Sequence, residues 1–380
     1  MPFSPKSVRL LWFGIAVFGF LPIVSALNNQ WNDLSPFWAA GGTAGTSALM
    51  NATLHTAWQV AHGVPPDYWR YPPAFAFAYW PASLFQVGPT FVANSAVMLA
   101  LLGVSGVLMA RIFELPRGFA LRLAFAWTPA LAAVDMGQNM PLAIVLALWA
   151  VDGLRRESQI EVGLACGLMM YKPELGMFLL GLLVLRARWR AVAVAAAMIA
   201  AWYFLSVLAS AGDWGWPMTW WNGIQPWLAH DFAFNADKTV SVPGLLGRLG
   251  VLPSWLCYLA GVGIVLIALR GLWRASLVEA GCAACLLALV AGPRVWSYEL
   301  GLMLPILAWT AAGGMAEPWR TRLVLLAIPV GLLWVVSPLT VISGVAVAAN
   351  VALVMWLWRW RPFGPDPIAQ RAAPGPAASS

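Results

Sequence analysis

Charge is what this chain has least of. Asp, Glu, Lys and Arg make up 10% of its 380 residues and AVILMFWYC 61%. A water-soluble fold of this length cannot hide so much apolar surface, so a soluble enzyme is excluded. Histidine is scarce too: His55, His62 and His230 are the three in the chain. His55 and His62 lie seven apart, a spacing that can share a helix face, but no tight ligand cluster accompanies them and no zinc site is expected. Cys166, Cys257, Cys282 and Cys285 all fall in apolar helical runs. Cys282-Ala-Ala-Cys285 has CxxC spacing without a second pair and reads as small residues on a helix, so neither a metal centre nor a disulfide framework is expected. Walker A, Rossmann GxGxxG, HExxH and Asp-x-Asp motifs are missing, which removes the usual nucleotide, zinc-protease and metal–nucleotide-sugar chemistries. Gly41-Gly42-Thr43-Ala44-Gly45 suits helix packing rather than a phosphate loop. The expectation is a protein with no metal and no cofactor.

Long apolar runs are what the chain has instead. A bilayer crossing needs about 20 apolar residues, and Leu10–Leu27, Thr90–Ala110 and Val251–Leu269 qualify. The pattern continues along the chain and predicts an all-α integral membrane protein, a polytopic bundle of about 12 transmembrane helices. The expected crossings are 10–27, 90–110, 119–135, 139–153, 159–172, 174–187, 190–209, 251–269, 275–291, 298–312, 321–337 and 341–358. Ala74–Val87 covers about 21 Å as a helix, short of the roughly 30 Å hydrocarbon core. It is expected to insert partway into the outer leaflet. Lys6, Arg9 and the apolar run ending in Val24-Ser25-Ala26 resemble a signal peptide. A retained first helix is preferred, because the run is long enough to span and a functional motif follows closely.

The net charge of +7 reads as positive-inside bias rather than as a nucleic-acid surface. With both termini in the cytoplasm, Arg70, Lys172, Lys238, Arg248 and Arg294 are the basic residues left outside; the rest of the 22 fall on the cytoplasmic side. That topology makes Asn28–Pro73 and Ala211–Pro243 two long external loops, and it places the chemistry at the outer face of a cell (inner) membrane. Residues 1–361 form one membrane domain, and 362–380, rich in Pro, Ala, Gly and Ser, form a disordered cytoplasmic tail.

The candidate site residues sit at the external turns. Asp33, in Trp31-Asn32-Asp33-Leu34-Ser35-Pro36-Phe37-Trp38, is either a helix N-cap or a catalytic carboxylate, and the two are compatible. Arg70 and Tyr71 precede Pro72-Pro73, an extended stop and re-entry; Arg70 can reach lipid headgroups or a ligand phosphate. Gln138 and Asn139 follow Gly137 in a turn that can hydrogen-bond a sugar hydroxyl or a phosphate oxygen, or simply join two helices. Lys172, in Tyr171-Lys172-Pro173-Glu174, is an outside cation that needs a partner, either Glu174 or an anionic ligand. Arg294 and Tyr298, in Gly292-Pro293-Arg294-Val295-Trp296-Ser297-Tyr298-Glu299, form a similar turn where a guanidinium can hold phosphate. Trp214, Trp216, Trp220, Trp221 and Trp227 in the second long loop read by default as interfacial anchors, with stacking on a sugar or lipid as the alternative.

Taken in order, the early Asp in its Asp-x-x-x-Phe-Trp-x-Ala context, the Tyr-Pro-Pro re-entry, the Gly-Gln-Asn turn and the Lys-Pro turn resemble glycosyltransferase family 87 over about residues 10–350. The resemblance implies a GT-C-like architecture and an external active site. It also implies an inverting transfer of a mannose-like hexose from a polyprenyl-phosphate sugar donor to a lipid or glycan acceptor. It assigns the general base to Asp33 and donor or substrate binding to Arg70, Tyr71, Gln138, Asn139, Lys172, Arg294 and Tyr298. Gly292 stands where the family pattern has Ser and Glu299 where it has Asp, and no role is assigned to Glu299. The implied partners are donor, acceptor and membrane lipids, with no nucleic acid. The alternative is a secondary transporter or lipid flippase, which twelve helices also fit. Against it stand the absence of an obvious repeat and the placing of ionisable groups at helix ends rather than at the midplane. A polymer ligase using a diphosphate-linked donor is a third reading.

Overall fold

A computed structural model describes residues 33–234, 239–248 and 254–314. Within them the chain is helical, with one isolated bridge, Thr239 to Trp296, as its extended pairing. The helices are α1 (Leu34–Thr43), α2 (Ala52–Ala61), α3 (Val87–Ile112), α4 (Arg117–Ala126), α5 (Thr128–Asp135), α6 (Met140–Arg155), α7 (Gln159–Leu168), α8 (Pro173–Leu185), α9 (Trp189–Ala209), α10 (Trp216–Phe234), α11 (Val242–Arg248), α12 (Ser254–Arg274), α13 (Leu277–Ala291) and α14 (Leu304–Trp309). The expected spans 10–27, 321–337 and 341–358 and the tail 362–380 lie outside the described residues.

Three expected spans are not single α-helices. The run 119–135 breaks at Trp127, because Pro129 has no N–H for the carbonyl of Phe125 four residues back and its ring clashes with it; the proline sits in the first turn of α5 instead. The Trp127 indole then donates to Leu300 O at 2.7 Å and holds the break in place. The run 298–312 starts as a tight 3₁₀ turn, Ser297–Met303, and becomes α-helical at Leu304, where Pro305 occupies the first turn. The run 159–172 likewise ends its α-helix at Leu168 and tightens to 3₁₀ over Met169–Tyr171. Ala74–Val87 is not one helix either. It is 3₁₀ at Pro73–Tyr79 and Ala82–Leu84, then leads into α3. The first long loop contains α1 and α2, and the second contains α10 and ends as α11 begins.

The bundle is organised around α6 and α13, which are buried along most of their lengths. Helix α6 packs against α3, α7 and α13, and α13 against α8 and α12. Helix α7 packs on α9 through Gly163 and Gly167. A Cβ at either would collide with Ala191, Val194 or Met198, so these two glycines let the backbones approach as small residues do between membrane helices.

Among the described residues, three helical spans are long and apolar enough to cross a bilayer: Val87–Ile112, Trp189–Ala209 and Trp255–Arg274. At most a third of the most apolar stretch of each is buried against protein. Val97, Val104, Val107, Phe204, Leu208, Val262 and Leu266 instead point outward. A surface of that kind belongs in hydrocarbon rather than in water.

Charge collects at the two ends of α6. At its C-terminal end Asp152 is fully buried. It pairs with Arg111 from α3, with Arg156 at 2.9 Å and with Arg155 at 3.3 Å, and Arg156 also pairs with Glu161 of α7. Nearby, the Arg186 guanidinium donates to the carbonyls of Leu272 at 2.9 Å and Ala275 at 3.0 Å, satisfying the open C-terminal end of α12. The opposite end of α6 begins at Asn139. Sixteen helical residues, at 1.5 Å each, separate it from the arginines by about 24 Å.

Candidate functional site

Backbone geometry at three turns assembles the site. Gly137 adopts φ +75, where a side chain would be strained, and a Cβ there would lie 2.8 Å from the Leu34 Cβ. That close approach seats the turn between α5 and α6 on the start of α1, and Asp33 N donates to Met136 O at 3.0 Å. Lys172 occupies the N-cap position of α8, with Pro173 at the first helical position. At the third turn, α13 stops at Gly292, and an extended stretch follows in which Val240 N donates to Val295 O at 2.8 Å. That pairing carries residues 294–296 toward the same end of the bundle.

These turns enclose a cavity of about 430 Å³ whose wall includes Arg70, Tyr71, Gln138, Lys172, Arg294 and Tyr298. Six of the eight sequence candidates therefore share one cavity. Asp33 is joined to it through Gln138, whose Nε2 donates to Asp33 Oδ2 at 2.8 Å, and its charge acts on Tyr298. Asn139 does not line the cavity. It is fully buried, and its Oδ1 and backbone O accept from the Tyr171 hydroxyl at 3.3 Å.

The carboxylate of Asp33 makes no capping bond, although Asp33 sits at the N-cap position of α1. It is therefore held from across the turn rather than by its own helix. Burial pushes the Tyr71 phenol up to about 12, so it remains a hydroxyl and donates to Gln138 Oε1 at 3.3 Å. The chain Tyr71–Gln138–Asp33 fixes which way the Gln138 amide faces.

The cations are arranged around this chain. Arg70 holds Asp67 through one guanidinium nitrogen, at 2.6 Å to Oδ1 and 2.7 Å to Oδ2. Burial, and then the nearby Arg70, pull Arg294 down to about 9, so it is still a cation at neutral pH, in a place where positive charge is costly. An anion between the two guanidiniums would relieve that cost. Lys172 is nearly inaccessible, and its Nζ pairs with Glu299 Oε1, not with Glu174.

Several residues assigned no site role from the sequence also line the cavity. Glu174, read as one candidate partner of Lys172, and Glu299, left without a role, are two of them. Trp69, Tyr171, Tyr258 and Met177 are others. Trp69 is buried, and its indole Nε1 makes no hydrogen bond. Helix α10 covers one side with Trp220, Trp221 and Ile224, lying close because Gly223 leaves no side chain in the way of the Tyr68 hydroxyl. Trp220 and Trp221 thus face the cavity, which an anchoring role alone does not require. Tyr171 had a readable signal, since it directly precedes the Lys-Pro turn.

The cavity wall holds three cations, two carboxylates (Glu174 and Glu299) and several aromatic rings, with the Asp33 carboxylate joined to it through Gln138. Among known families, the sequence model described as glycosyltransferase family 87 matches residues 69–293. That segment contains Arg70, Tyr71, Gln138, Asn139 and Lys172 and stops just short of Arg294. No curated protein matches the chain.

Proposed function

The chain belongs to glycosyltransferase family 87, and from that premise we propose that it moves a mannose-like hexose from a polyprenyl-phosphate donor to a lipid or glycan acceptor at the outer face of the cell membrane. The observation that supports this best is the shared cavity, whose wall holds Lys172, Arg294, Arg70 and Gln138, with Asp33 hydrogen-bonded to Gln138 behind it. In this reading residues 1–361 form a GT-C-like bundle of about twelve crossings with both termini in the cytoplasm, and 362–380 are its tail.

The reaction follows from the groups present. The acceptor oxygen attacks the anomeric carbon while the bond from that carbon to the phosphate oxygen breaks on the opposite face, inverting the centre. The acceptor proton goes to the Asp33 carboxylate. The departing polyprenyl phosphate keeps the bonding pair and gains a second negative charge, which Lys172 and Arg294 offset. Trp69, with its unused indole N–H, and Trp220 provide surfaces for a sugar ring or prenyl chain.

Arg294→Ala tests the donor assignment. Loss of a charge-assisted hydrogen bond to the phosphate removes about 1.5–3 kcal/mol, so the donor KM is expected to rise about ten- to a hundredfold. Radiolabelled sugar transfer by purified protein in detergent, with no gradient, gives that KM. It also separates an enzyme from a transporter, which would consume no donor. An unchanged KM would remove Arg294 from the donor site.

The orientation has its own test. All four native cysteines are buried, so the natural chain should label weakly. Pro66→Cys, at an exposed position beside Asp67, is expected to react with a membrane-impermeant thiol reagent in intact cells. Glu157→Cys, exposed at the other end of the bundle, is expected to react only after permeabilisation. The reverse pattern would turn the site to the cytoplasm.

A further inference from the structure

Residues 294–299 do more than contribute one cation. Arg294 and Trp296 are two apart on an extended stretch and share a face, with the Arg294 guanidinium 4.9 Å from the Trp296 ring centroid. The Trp296 and Tyr298 rings are parallel within 5° at 6.4 Å between centroids. Lys172 Nζ lies 5.5 Å from the Tyr298 ring centroid on the next side. The cavity wall is therefore a row of cation, ring, ring and cation, each packed on the next.

One carboxylate ties down both ends of that row. Glu299 Oε1 pairs with Lys172 Nζ. Its Oε2 accepts from the Trp296 backbone N–H at 2.9 Å. The Trp296 bond pins the backbone that carries Arg294, two residues upstream. Val295, between them, is fully buried and paired to Val240, so the stretch has no other direction to relax. The Glu299 side chain is 1% exposed and that of Lys172 4%. Neither oxygen is shared with solvent.

We propose that Glu299 is a positioning residue that sets the separation of Lys172 and Arg294, and so fixes where the donor phosphate sits. The inference rests on the donor reading above. It assigns Glu299 no proton transfer and no contact with the reacting carbon. A second effect follows from its charge. Paired with Glu299, Lys172 is not a free cation looking for an anion. The row presents a smaller net positive charge, suited to a singly charged phosphodiester rather than to a more highly charged diphosphate.

The test uses the full-length protein in detergent, with two variants and farnesyl phosphate as a competing probe. Glu299→Gln leaves Lys172 buried without its counter-charge and can fail by unfolding. Glu299→Asp keeps the charge and shortens the reach by one methylene, so it can satisfy one of its two partners but not both. A purely structural Glu299 would be rescued by Asp. A positioning Glu299 would not. Glu299→Asp is expected to raise the donor KM and the farnesyl phosphate Ki together by about tenfold, the worth of one charge-assisted hydrogen bond. The acceptor KM should stay within about threefold. Wild-type KM and Ki in Glu299→Asp, with or without a lowered maximal rate, would overturn the inference and leave the donor reading standing. A wild-type protein that neither binds farnesyl phosphate nor transfers sugar would overturn both.

Discussion

Asp152→Asn is expected to destabilise the folded protein by about 3 kcal/mol, roughly a 150-fold shift in the folding equilibrium. The carboxylate is fully buried, and three guanidiniums converge on it from α3 and α6. Asn keeps the volume and one acceptor oxygen but removes the negative charge. Arg111, Arg155 and Arg156 then face one another, with Glu161 offsetting Arg156. Breaking a buried ion pair costs about 3–5 kcal/mol when the remaining charge stays buried. Here the arginine side chains are 54%, 25% and 39% exposed and can turn toward headgroups or water, which places the loss at the lower end. The contact most affected is between α3 and α6, because Arg111 is the partner that comes from another helix. Thermal melting in detergent of Asp152→Asn beside the combined Asp152→Asn, Arg111→Met protein checks this. The combined change should recover part of the loss. A melting point equal to wild type in the single variant would show that the arginines were already solvated.

How far the sequence carries is clear from which partners it could and could not identify. Arg155 and Arg156 lie three and four residues after Asp152, so their pairing follows from helical spacing alone. Arg111 is forty-one residues away, and nothing local announces it. Lys172 shows the same divide. Glu174 is its neighbour in sequence, but residues two apart on a helix do not face each other. The partner that does face it, Glu299, comes from a turn that reaches the cavity only through the pairing of Val240 with Val295. The turns themselves were legible because their chemistry is local: Gly137 for the left-handed backbone, Pro173 for a helix start, Pro72-Pro73 for an extended stop. Helix existence was legible from apolar length, as for α3, α9 and α12. The break at Trp127 and the change from 3₁₀ to α-helix at Leu304 were not, because a proline within an apolar run either kinks a helix or starts a new one. Packing contacts such as Trp127 to Leu300 decide which. The segment of α1 and α2 was read as an external loop in which Asp33 could cap a short helix, and α1 begins at the next residue, Leu34, while α2 was not expected. The segment also holds the residue with the largest expected effect on turnover.

That residue is Asp33. Asp33→Asn is expected to lower the rate of sugar transfer by about 10²–10⁴-fold, the usual worth of a positioned general base, while donor binding survives. The carboxylate sits at the start of α1 but makes no capping bond, so removing its charge takes no cap away. Its one hydrogen bond to a side chain comes from Gln138 Nε2 at 2.8 Å, and an asparagine carbonyl oxygen can accept that bond equally. Stability should therefore change by less than about 0.5 kcal/mol, as for a substitution that keeps shape and partners. What Asn cannot do is take a proton from the acceptor hydroxyl. Donor affinity should hold, because the proposed phosphate contacts, Lys172 and Arg294, come from other turns. Gln138→Leu is the companion variant. It keeps the carboxylate but removes the donor that aims it, and the Tyr71 hydroxyl loses its acceptor as well, so turnover should fall less than in Asp33→Asn. Radiolabelled transfer and farnesyl phosphate competition on the same purified proteins separate the two steps. Near wild-type transfer by Asp33→Asn would reduce Asp33 to a structural partner of Gln138, and the search for the base would move to Asp67, bound to Arg70 beside the cavity.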